Sequence, residues 1–310
     1  MRENISSLRI LITGEYGQVG EALKRTLAPL GEVYAPTLAE LDLTDTKSTR
    51  KAMREFRPRW VVNAAAHTAV DKAESEPELA FALNAIAPEV LAEEAKKIGA
   101  AMVHYSTDYV FDGAKQTPYV ESDPTGPLNV YGRSKLAGEM ALSASGVPYL
   151  TFRTSWVYGA TGNNFLRSIL RLARESEHLR IVGDQHGAPT WSFDLARLTA
   201  HAITYIEGLT TQATCSLQEA ALPVSGLYHA SGAGETSWYG FAAQAIAELQ
   251  QMEPEAKLAT VEAISTAEYP TAAKRPLNSL LDCSKLERVF GWRMQEWRSS
   301  LTQVLGELAR

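Results

Sequence analysis

Short apolar runs alternate with longer amphipathic stretches over the first half of the chain. The apolar runs have the length and residue types of buried strands and lie at 8–13, 32–34, 60–65, 101–106 and 149–154. Stretches with helical spacing of apolar residues lie between them, at 20–30, 46–56, 77–98 and 134–145. Strands that alternate with helices predict an α/β fold in which helices cover both faces of a parallel sheet. Such a sheet binds ligands beyond the carboxyl ends of its strands.

The pattern is less regular after about residue 160. Helices are predicted near 165–174, near 238–251 and at the C-terminus, and the polar stretch 207–226 includes a predicted surface loop at 208–214. We predict a first domain over 1–160, to which the segment 194–230 returns. Residues 161–310 mainly form a smaller, mixed lobe that binds the substrate.

Composition favours a globular protein that acts on small molecules. The 310 residues are 45% hydrophobic and 21% charged, and the net charge is −6 without a strongly basic run, so neither a nucleic-acid nor a membrane surface is expected. No apolar signal core and no stretch of roughly 18 apolar residues occurs, which predicts a cytoplasmic location. Cys215 and Cys283 lack metal-type spacing, so redox chemistry would need a cofactor.

Three glycines follow the first predicted strand. Gly14, Gly17 and Gly20 stand at three-residue spacing before a helix, where the missing side chains let the backbone approach a pyrophosphate at the helix N-terminus. The alternative is a tight turn with close helix packing. Glu15 lies inside this loop, and because its carboxylate would repel phosphate, we predict that it faces solvent.

The second predicted strand ends without an acidic residue. An acid there would bind the ribose 2′-hydroxyl of NADH and repel the 2′-phosphate of NADPH, so its absence from 34–37 favours NADPH and leaves NADH open. Lys24 and Arg25 are candidate partners of that phosphate. Asp42 has two readings, an acceptor for the adenine amino group or a turn residue before Thr44.

Tyr131 and Lys135 are four residues apart and therefore share one face of a helix. A free tyrosine has a pKa of about 10, and a nearby ammonium lowers that pKa by stabilising the phenolate. The pair can therefore form an acid, although the same spacing is common on amphipathic surfaces.

These features occur together with longer motifs. Gly14-x-x-Gly17-x-x-Gly20, 63–66, Ser106-Thr107-Asp108 and Tyr131-x-x-x-Lys135 together resemble the extended short-chain dehydrogenase/reductases. The runs 63–74, 105–111, 153–158, 162–165 and 185–190 resemble, within that superfamily, the dTDP-4-dehydrorhamnose reductases. The resemblance extends from the first strand to at least Pro276.

The resemblance implies a Rossmann-type, doubly wound sheet and a reduction with NADPH. The 4-keto group of dTDP-4-dehydro-6-deoxy-L-mannose would be reduced to give dTDP-L-rhamnose. In that reaction Tyr131 would donate a proton to the developing alkoxide and Thr107 would hydrogen-bond the same oxygen. Lys135 would lower the tyrosine pKa and hold the nicotinamide ribose.

The resemblance also implies two sets of binding residues. The cofactor would contact Gly14, Gly17, Gln18, Val19, Asp42, Leu43, Ala65, Ala66, His67, Thr68, Tyr131 and Lys135. The sugar nucleotide would contact Thr107, Asp108, Tyr109, Trp156, Asn163, Asn164, Gln185 and Arg275. Trp156 is alternatively a core aromatic, His67 is expected to be packed near the cofactor rather than to act as a base, and Arg275 either binds the pyrophosphate or forms a surface salt bridge.

Some members of this family form dimers that magnesium bridges through carboxylates. This chain departs at both positions, because Ala22 follows Glu21 and the run 191–193 that follows Thr190 contains no acid. Since magnesium requires oxygen ligands, we predict no metal site, and either a monomer or a dimer that metal does not bridge.

Other functions share parts of these motifs. A nucleotide-sugar 4,6-dehydratase or epimerase would use the same fold and the Tyr-Lys pair, but a dehydratase needs an acid after the Thr-Asp pair, whereas Tyr109 follows Thr107-Asp108 here. Reductases of other dTDP-4-keto-6-deoxysugars could share every motif. A non-catalytic NADP-binding subunit, similar to the regulatory subunit of methionine adenosyltransferase, is the alternative from a different class.

Overall fold

Six parallel strands form the main sheet of the computed structural model, which describes residues 8–309. Their order is β10-β5-β4-β3-β1-β2. The bounds are β1 Leu8–Thr13, β2 Gly31–Tyr34, β3 Trp60–Asn63, β4 Ala101–Thr107, β5 Tyr149–Thr154 and β10 Gly226–His229. The parallel α/β fold class is therefore confirmed. The expectation that residues 1–7 contain no apolar signal core concerns residues outside the described part of the chain.

Helices cover both faces of the sheet. They are α1 Gln18–Leu27, α2 Thr46–Phe56, α3 Val70–Ser75, α4 Pro77–Phe81, α5 Ala87–Ile98, α6 Val130–Ser145, α7 Phe165–Glu175, α8 Ser192–Ala213, α9 Leu217–Ala221, α10 Trp238–Met252, α11 Ser284–Phe290 and α12 Trp297–Leu308. Successive strand side chains point to opposite faces, so Ile10 and Ile12 pack in one core with α1 and α8. Leu11 packs in another core with α2, α5 and α6.

The strand order reverses beside β1. β1 pairs with β2 on one side and with β3 on the other, and the chain then continues outward through β4 and β5. The loops after β1 and β3 therefore diverge and leave a crevice beyond their carboxyl ends, which is the usual ligand position in such sheets.

A smaller lobe forms around α7, α10 and α12, whose side chains share a core that includes Phe241, Leu301 and the buried Trp297. Its short strands pair outside the main sheet and are β6 Val157–Tyr158, β7 His178–Val182, β8 His186–Gly187, β9 Thr190–Trp191, β11 Thr236–Ser237 and β12 Thr260–Ile264. β10 and α8, which lie within 192–229, belong to the main sheet and its core. The exact domain division at residue 160 stays a prediction.

Two elements differ from the sequence-based expectation. The predicted loop 208–214 is wrong, because α8 continues to Ala213 and ends at Thr214 in a left-handed conformation. The polar residues there lie on the water-exposed end of a helix. Their polarity therefore predicted exposure to water correctly but did not distinguish a helix from a loop. The predicted helix 77–98 contains a π-helical segment, Ala82–Ile86, between α4 and α5. Among residues 8–309, no helix is long and apolar enough to cross a membrane.

Candidate active site

A cleft of about 690 Å³ opens beyond the carboxyl ends of β1, β3, β4 and β5. Its volume lies within the usual range for a site that takes a small organic ligand. Residues from the glycine loop, the second-strand loop, the start of α6 and the smaller lobe line this cleft, and they include Thr13, Gly14, Gly17, Pro36, Leu43, Ala65, Thr107, Tyr131, Lys135, Trp156 and Trp238.

Close backbone packing requires glycine at two of the three loop positions. Gly14 has φ +75°, and a Cβ there would lie 2.6 Å from the Ala65 nitrogen. A Cβ at Gly20 would lie 2.0 Å from the Gly14 carbonyl oxygen. Gly17 occupies the N-cap position of α1 and has no side chain to fill it, which leaves the first N–H groups of that helix facing the cleft. This is a suitable cradle for a pyrophosphate.

Glu15 does not face solvent as predicted. It lines the cleft, its side chain is only 11% exposed, and a carboxylate oxygen lies 3.3 Å from Lys24 Nζ. The ammonium offsets the charge, which the sequence argument omitted. Lys24 also pairs with Glu21 at 2.8 Å, and the Arg25 guanidinium lies over the Phe193 ring. Within residues 8–309 neither cation is among the residues that line the cleft.

The other cofactor candidates divide into two groups. Gln18, Val19, Leu43, Ala65, Ala66 and Thr68 line the cleft. Asp42 is exposed and accepts hydrogen bonds from the backbone and hydroxyl of Thr44, which is the turn role. His67 is buried, and its ring nitrogen lies 3.1 Å from Glu76. Neither Asp42 nor His67 is among the lining residues of the described chain.

The start of α6 is held against the end of β4. The Asn129 side chain caps the helix by accepting from the Gly132 N–H at 2.8 Å. A Cβ at Gly132 would lie 2.2 Å from the Tyr109 carbonyl oxygen, so only glycine permits this approach. The contact places Tyr131 beside Thr107 and edge-on to the Tyr109 ring.

Burial shifts the two central groups toward their neutral forms. It raises the pKa of Tyr131 to about 12, and the neighbouring Thr107 hydroxyl opposes that shift. Burial lowers the pKa of Lys135 to about 8, and Glu139 opposes that shift. Lys135 Nζ donates to the Tyr105 carbonyl oxygen at 2.5 Å. The expected lowering of the tyrosine pKa is absent from this arrangement, because desolvation outweighs the opposing effects.

Asp108 is buried at the same strand end. Burial raises the pKa of its carboxyl to about 6, and the nearby hydroxyls of Ser279 and Thr107 oppose the shift. Thr107 Oγ1 lies 3.0 Å from Asp108 Oδ1 and accepts from the Tyr109 N–H at 3.2 Å. Thr107, Asp108 and Tyr109 all line the cleft, so this turn presents an ordered polar edge.

Two stacked indoles form the wall of the cleft that faces the smaller lobe. Trp156 has φ +47°, an unfavourable conformation for a bulky residue. Its ring stacks on Trp238 with centroids 3.7 Å apart, and both side chains line the cleft. Gly187 makes room for this ring, since a Cβ there would lie 2.6 Å from the indole. Trp156 is therefore a wall residue rather than a core aromatic.

The remaining substrate candidates are only partly brought together. Asn163 and Asn164 line the cleft, and Asn164 donates to Gln18 Oε1 at 3.0 Å. Gln185 instead donates to Thr266, and Arg275 pairs with Asp71 at 2.7 Å. In the part of the chain that the structure describes, Gln185 and Arg275 do not line the cleft. The ion pair is the alternative that the sequence had left open for Arg275.

Sequence reasoning missed several cleft residues. Trp238 comes from a distant helix without a motif around it, and Ser106 was quoted only as part of a run. The hydroxyls of Ser106 and Thr154 are buried and lack a hydrogen-bond partner among residues 8–309. Both residues line the cleft, so a polar ligand can supply the missing partners. These hydroxyls, the glycine cradle and the open helix terminus fit a dinucleotide.

Comparison with known proteins gives a consistent result. The family model described as the RmlD substrate binding domain matches residues 8–310. A dTDP-4-dehydrorhamnose reductase of Burkholderia thailandensis is 47% identical, over 97% of this chain and 99% of that protein. The crystal structure of a dTDP-4-dehydrorhamnose reductase from Clostridium acetobutylicum is 36% identical, with a TM-score of 0.86, over 97% of this chain and 99% of that one.

A second solved structure contains a ligand. It is the dTDP-4-dehydrorhamnose reductase of Bacillus anthracis in complex with NADP. It is 33% identical, has a TM-score of 0.86, and the match covers 97% of this chain and 99% of that one.

Proposed function

This chain belongs to the dTDP-4-dehydrorhamnose reductase family of oxidoreductases, and on that premise we propose that it uses NADPH to reduce dTDP-4-dehydro-6-deoxy-L-mannose to dTDP-L-rhamnose. Tyr131 is the proton donor. The observation that carries this proposal is the convergence of Thr107, Tyr131 and Lys135 on one cleft that also contains the glycine loop. A binding protein would not require that acid to stand beside a cofactor cradle.

The cofactor binds along the glycine loop. The N–H groups at the start of α1 hold the pyrophosphate, and Leu43, Ala65 and Ala66 provide apolar surface along the same wall. The Bacillus anthracis reductase binds NADP, which supports the same cofactor here. When bound, NADPH supplies a hydride to the carbonyl carbon of the sugar.

Tyr131 supplies the proton. Because burial raises its pKa to about 12, its hydroxyl is protonated at neutral pH and is available as an acid. An alkoxide is a stronger base than a phenolate, so proton transfer from Tyr131 to the developing sugar alkoxide is downhill. Thr107 lines the cleft beside Tyr131, and its hydroxyl, which donates to Asp108 Oδ1 in the structure, turns to the sugar oxygen when the substrate is bound.

Lys135 provides positive charge on the same helix face. Its Nζ is fixed by the Tyr105 carbonyl, and the residue lines the cleft one helical turn after Tyr131. The ammonium stabilises the phenolate as it forms, and it therefore acts in the transition state more than in the resting site. It also holds the nicotinamide ribose.

The sugar nucleotide occupies the part of the cleft toward the smaller lobe. The stacked Trp156 and Trp238 provide a flat apolar wall, and Asp108, Tyr109 and Asn163 provide polar groups near it. Another dTDP-4-keto-6-deoxysugar would find the same contacts. The chemical structure of the product shows which of these two sugars is the substrate.

Turnover with candidate substrates tests the proposal directly. Purified protein is mixed with NADPH and dTDP-4-dehydro-6-deoxy-L-mannose, NADPH oxidation is followed by absorbance, and the product is compared with authentic dTDP-L-rhamnose by NMR. Absence of turnover by a folded, NADPH-binding wild-type protein contradicts the enzyme and supports a regulatory subunit. A different sugar product contradicts only the substrate assignment.

The change Tyr131→Phe tests the proton donor. We expect kcat to fall by about 10²- to 10⁴-fold, with NADPH affinity nearly unchanged, because only the hydroxyl is removed. Tyr34→Phe is the matched control, since Tyr34 packs against Phe56 and lies outside the cleft among the described residues. Undiminished turnover by Tyr131→Phe would assign the proton donor elsewhere.

A further inference from the structure

A chain of buried polar groups connects the glycine-loop strand to Lys135. Thr13 Oγ1 donates to Asn63 Oδ1 at 2.6 Å, and Asn63 Nδ2 lies 3.1 Å from His104 Nδ1. The other ring nitrogen, His104 Nε2, lies 3.4 Å from Lys135 Nζ. All four residues are at most 2% exposed, so water does not replace any of these partners. The chain passes from β1 through β3 and β4 to α6 beneath the cleft.

This chain of hydrogen-bonded side chains determines where the Lys135 ammonium can point. One N–H of Lys135 is used by the Tyr105 carbonyl and a second faces His104, so the third remains for the cleft. Lysine has four rotatable side-chain bonds, and two fixed contacts from β4 remove most of that freedom. The imidazole is thus the only side-chain nitrogen or oxygen that bonds Lys135 Nζ in the described residues.

The hydrogen-bond polarity of the chain follows the charge of Lys135. With Asn63 Nδ2 facing His104, Nδ1 accepts and the ring proton lies on Nε2, which suits a neutral Lys135 amine. A half-turn of the Asn63 amide reverses the chain, and Nε2 then accepts from a Lys135 ammonium while Asn63 Nδ2 donates to the Thr13 hydroxyl. In both states each link from Thr13 to Asn63, from Asn63 to His104 and from His104 to Lys135 has one donor and one acceptor. Asparagine and threonine can reverse in this way because each has both donor and acceptor capacity.

We propose that His104 is a positioning residue for Lys135, and that the hydrogen-bonded chain of Thr13, Asn63 and His104, in the state in which Nε2 accepts, keeps the Lys135 ammonium oriented and protonated during the reaction. The imidazole acts through Lys135 and does not touch the substrate. The inference rests on the proposed function, because it gives Lys135 its catalytic role. It assigns a purpose to a buried histidine at a strand position where an apolar residue would otherwise be expected.

The other titratable groups near Lys135 carry charge or belong to the cleft. His104 is neutral, so it can be substituted without changing the charge around Lys135. Glu139, on the same helix, pairs with Arg153 of β5 at 2.7 Å, and Tyr131 and Asp108 lie on the cleft side. Burial and the Lys135 charge hold the pKa of His104 well below its ordinary value, so the imidazole is neutral over the assay range. A change at His104 therefore moves the titration of Lys135 and not its own.

Two polar substitutions at His104 separate the roles of its nitrogens. In His104→Gln the amide oxygen can occupy the position of Nε2 and accept from Lys135. In His104→Asn the shorter amide reaches only toward Asn63, so Lys135 loses its acceptor. The pH dependence of kcat is measured for both variants, together with thermal melting and NADPH affinity.

The basic limb of the kcat profile gives the decisive readout. Activity requires the ammonium, so it declines as pH rises through the Lys135 pKa. Loss of the acceptor destabilises the charged form, and we expect His104→Asn to move the basic limb about one pH unit lower, with His104→Gln close to wild type. The inference is overturned if the basic limbs of the two variants lie at the same pH, or if both variants lose the same fraction of kcat at every pH.

Thr13→Val provides an independent variant of similar shape. It removes the far end of the chain without touching Lys135, and we expect a smaller shift of the basic limb in the same direction. If the basic limb of Thr13→Val is not shifted, the hydrogen-bonded chain of Thr13, Asn63 and His104 does not have this role. If the wild-type protein does not reduce the sugar at all, the proposed function fails. If wild type is active and the limbs do not separate, only this inference fails.

Discussion

At the residue scale, burial determines the acid–base behaviour of the site more strongly than sequence spacing does. Tyr131 and Lys135 share a helix face, as their spacing predicts. Desolvation nevertheless raises the tyrosine pKa and lowers the lysine pKa. The resting site therefore holds a protonated phenol, which is the form that an acid must have before a ketone is reduced.

Glu15→Gln tests the charge at the adenosine end of the cleft. Glu15 follows β1 and Pro36 follows the adjacent β2, and both line the cleft. A carboxylate there repels a 2′-phosphate, so its removal is expected to raise kcat/KM for NADPH by about threefold while that for NADH changes less. Steady-state kinetics with both cofactors provide the measurement.

Glu21→Gln is the control for that change. Glu21 also pairs with Lys24, but its side chain is 43% exposed and it does not line the cleft in the described part of the chain. It should leave the ratio of NADPH to NADH activity unchanged. A ratio that is also unchanged in Glu15→Gln would show that Lys24 fully neutralises this carboxylate.

At the element scale, the contact between the glycine loop and α1 depends on Gly20. A Cβ at this position would lie 2.0 Å from the Gly14 carbonyl oxygen, so Gly20→Ala must displace α1 or the loop. We expect a loss of stability of about 2 kcal/mol and a weaker affinity for NADPH. Urea unfolding and cofactor titration measure the two effects.

Gly208→Ala is the matched control. Gly208 lies within α8, and a Cβ there would meet nothing within 4 Å among residues 8–309. We expect a gain of about 0.5–1 kcal/mol, because alanine favours the helix more than glycine does. Equal effects of the two changes would contradict the packing argument.

The packing of α2 on α5 carries a pH dependence. The buried Glu94 carboxylate pairs with Arg54, Lys97 and Arg50, and these hydrogen bonds lower its pKa from 4.5 to about 2. A carboxyl whose pKa is lower in the folded than in the unfolded chain stabilises the fold fully when the pH is above the unfolded pKa. That contribution is lost as pH falls from about 4.5 toward 2.

Glu94→Gln removes this contribution. We expect a loss of roughly 2 kcal/mol at pH 7 and of about 1 kcal/mol near pH 3, where the folded carboxyl is still mostly ionised. Urea unfolding at both pH values provides the measurement. The control Glu93→Gln changes an exposed partner of Arg50 and should have little effect at either pH. A Glu94→Gln deficit that does not depend on pH would indicate lost packing instead of lost charge.

At the scale of the whole molecule, the cleft joins the parallel sheet to the smaller lobe. Glycine-loop residues form the part of the cleft that we propose for the cofactor, and Trp238 of α10 completes the opposite wall. Residues separated by more than 200 positions therefore form one site. This arrangement predicts that changes in the smaller lobe affect the sugar nucleotide and leave the cofactor unaffected.

Trp238→Ala tests that division. Loss of the indole that stacks on Trp156 should raise KM for the sugar nucleotide by about tenfold, with KM for NADPH within about twofold of wild type. Trp238→Phe keeps an aromatic ring against Trp156 and should retain most of the affinity. Equal increases in both KM values would contradict the proposed division of the cleft.

The order of residues is enough to predict the alternation of strands and helices, the glycine loop and the Tyr131-Lys135 face, because hydrophobic period and backbone sterics act over a few residues. The folded structure alone sets which side chains meet. It paired Glu15 with Lys24 and Arg275 with Asp71, and it brought Trp238 against Trp156. It also desolvated Tyr131 and Lys135. Ion pairing, stacking and desolvation depend on distances through space, which the folded chain sets and the order of residues does not contain.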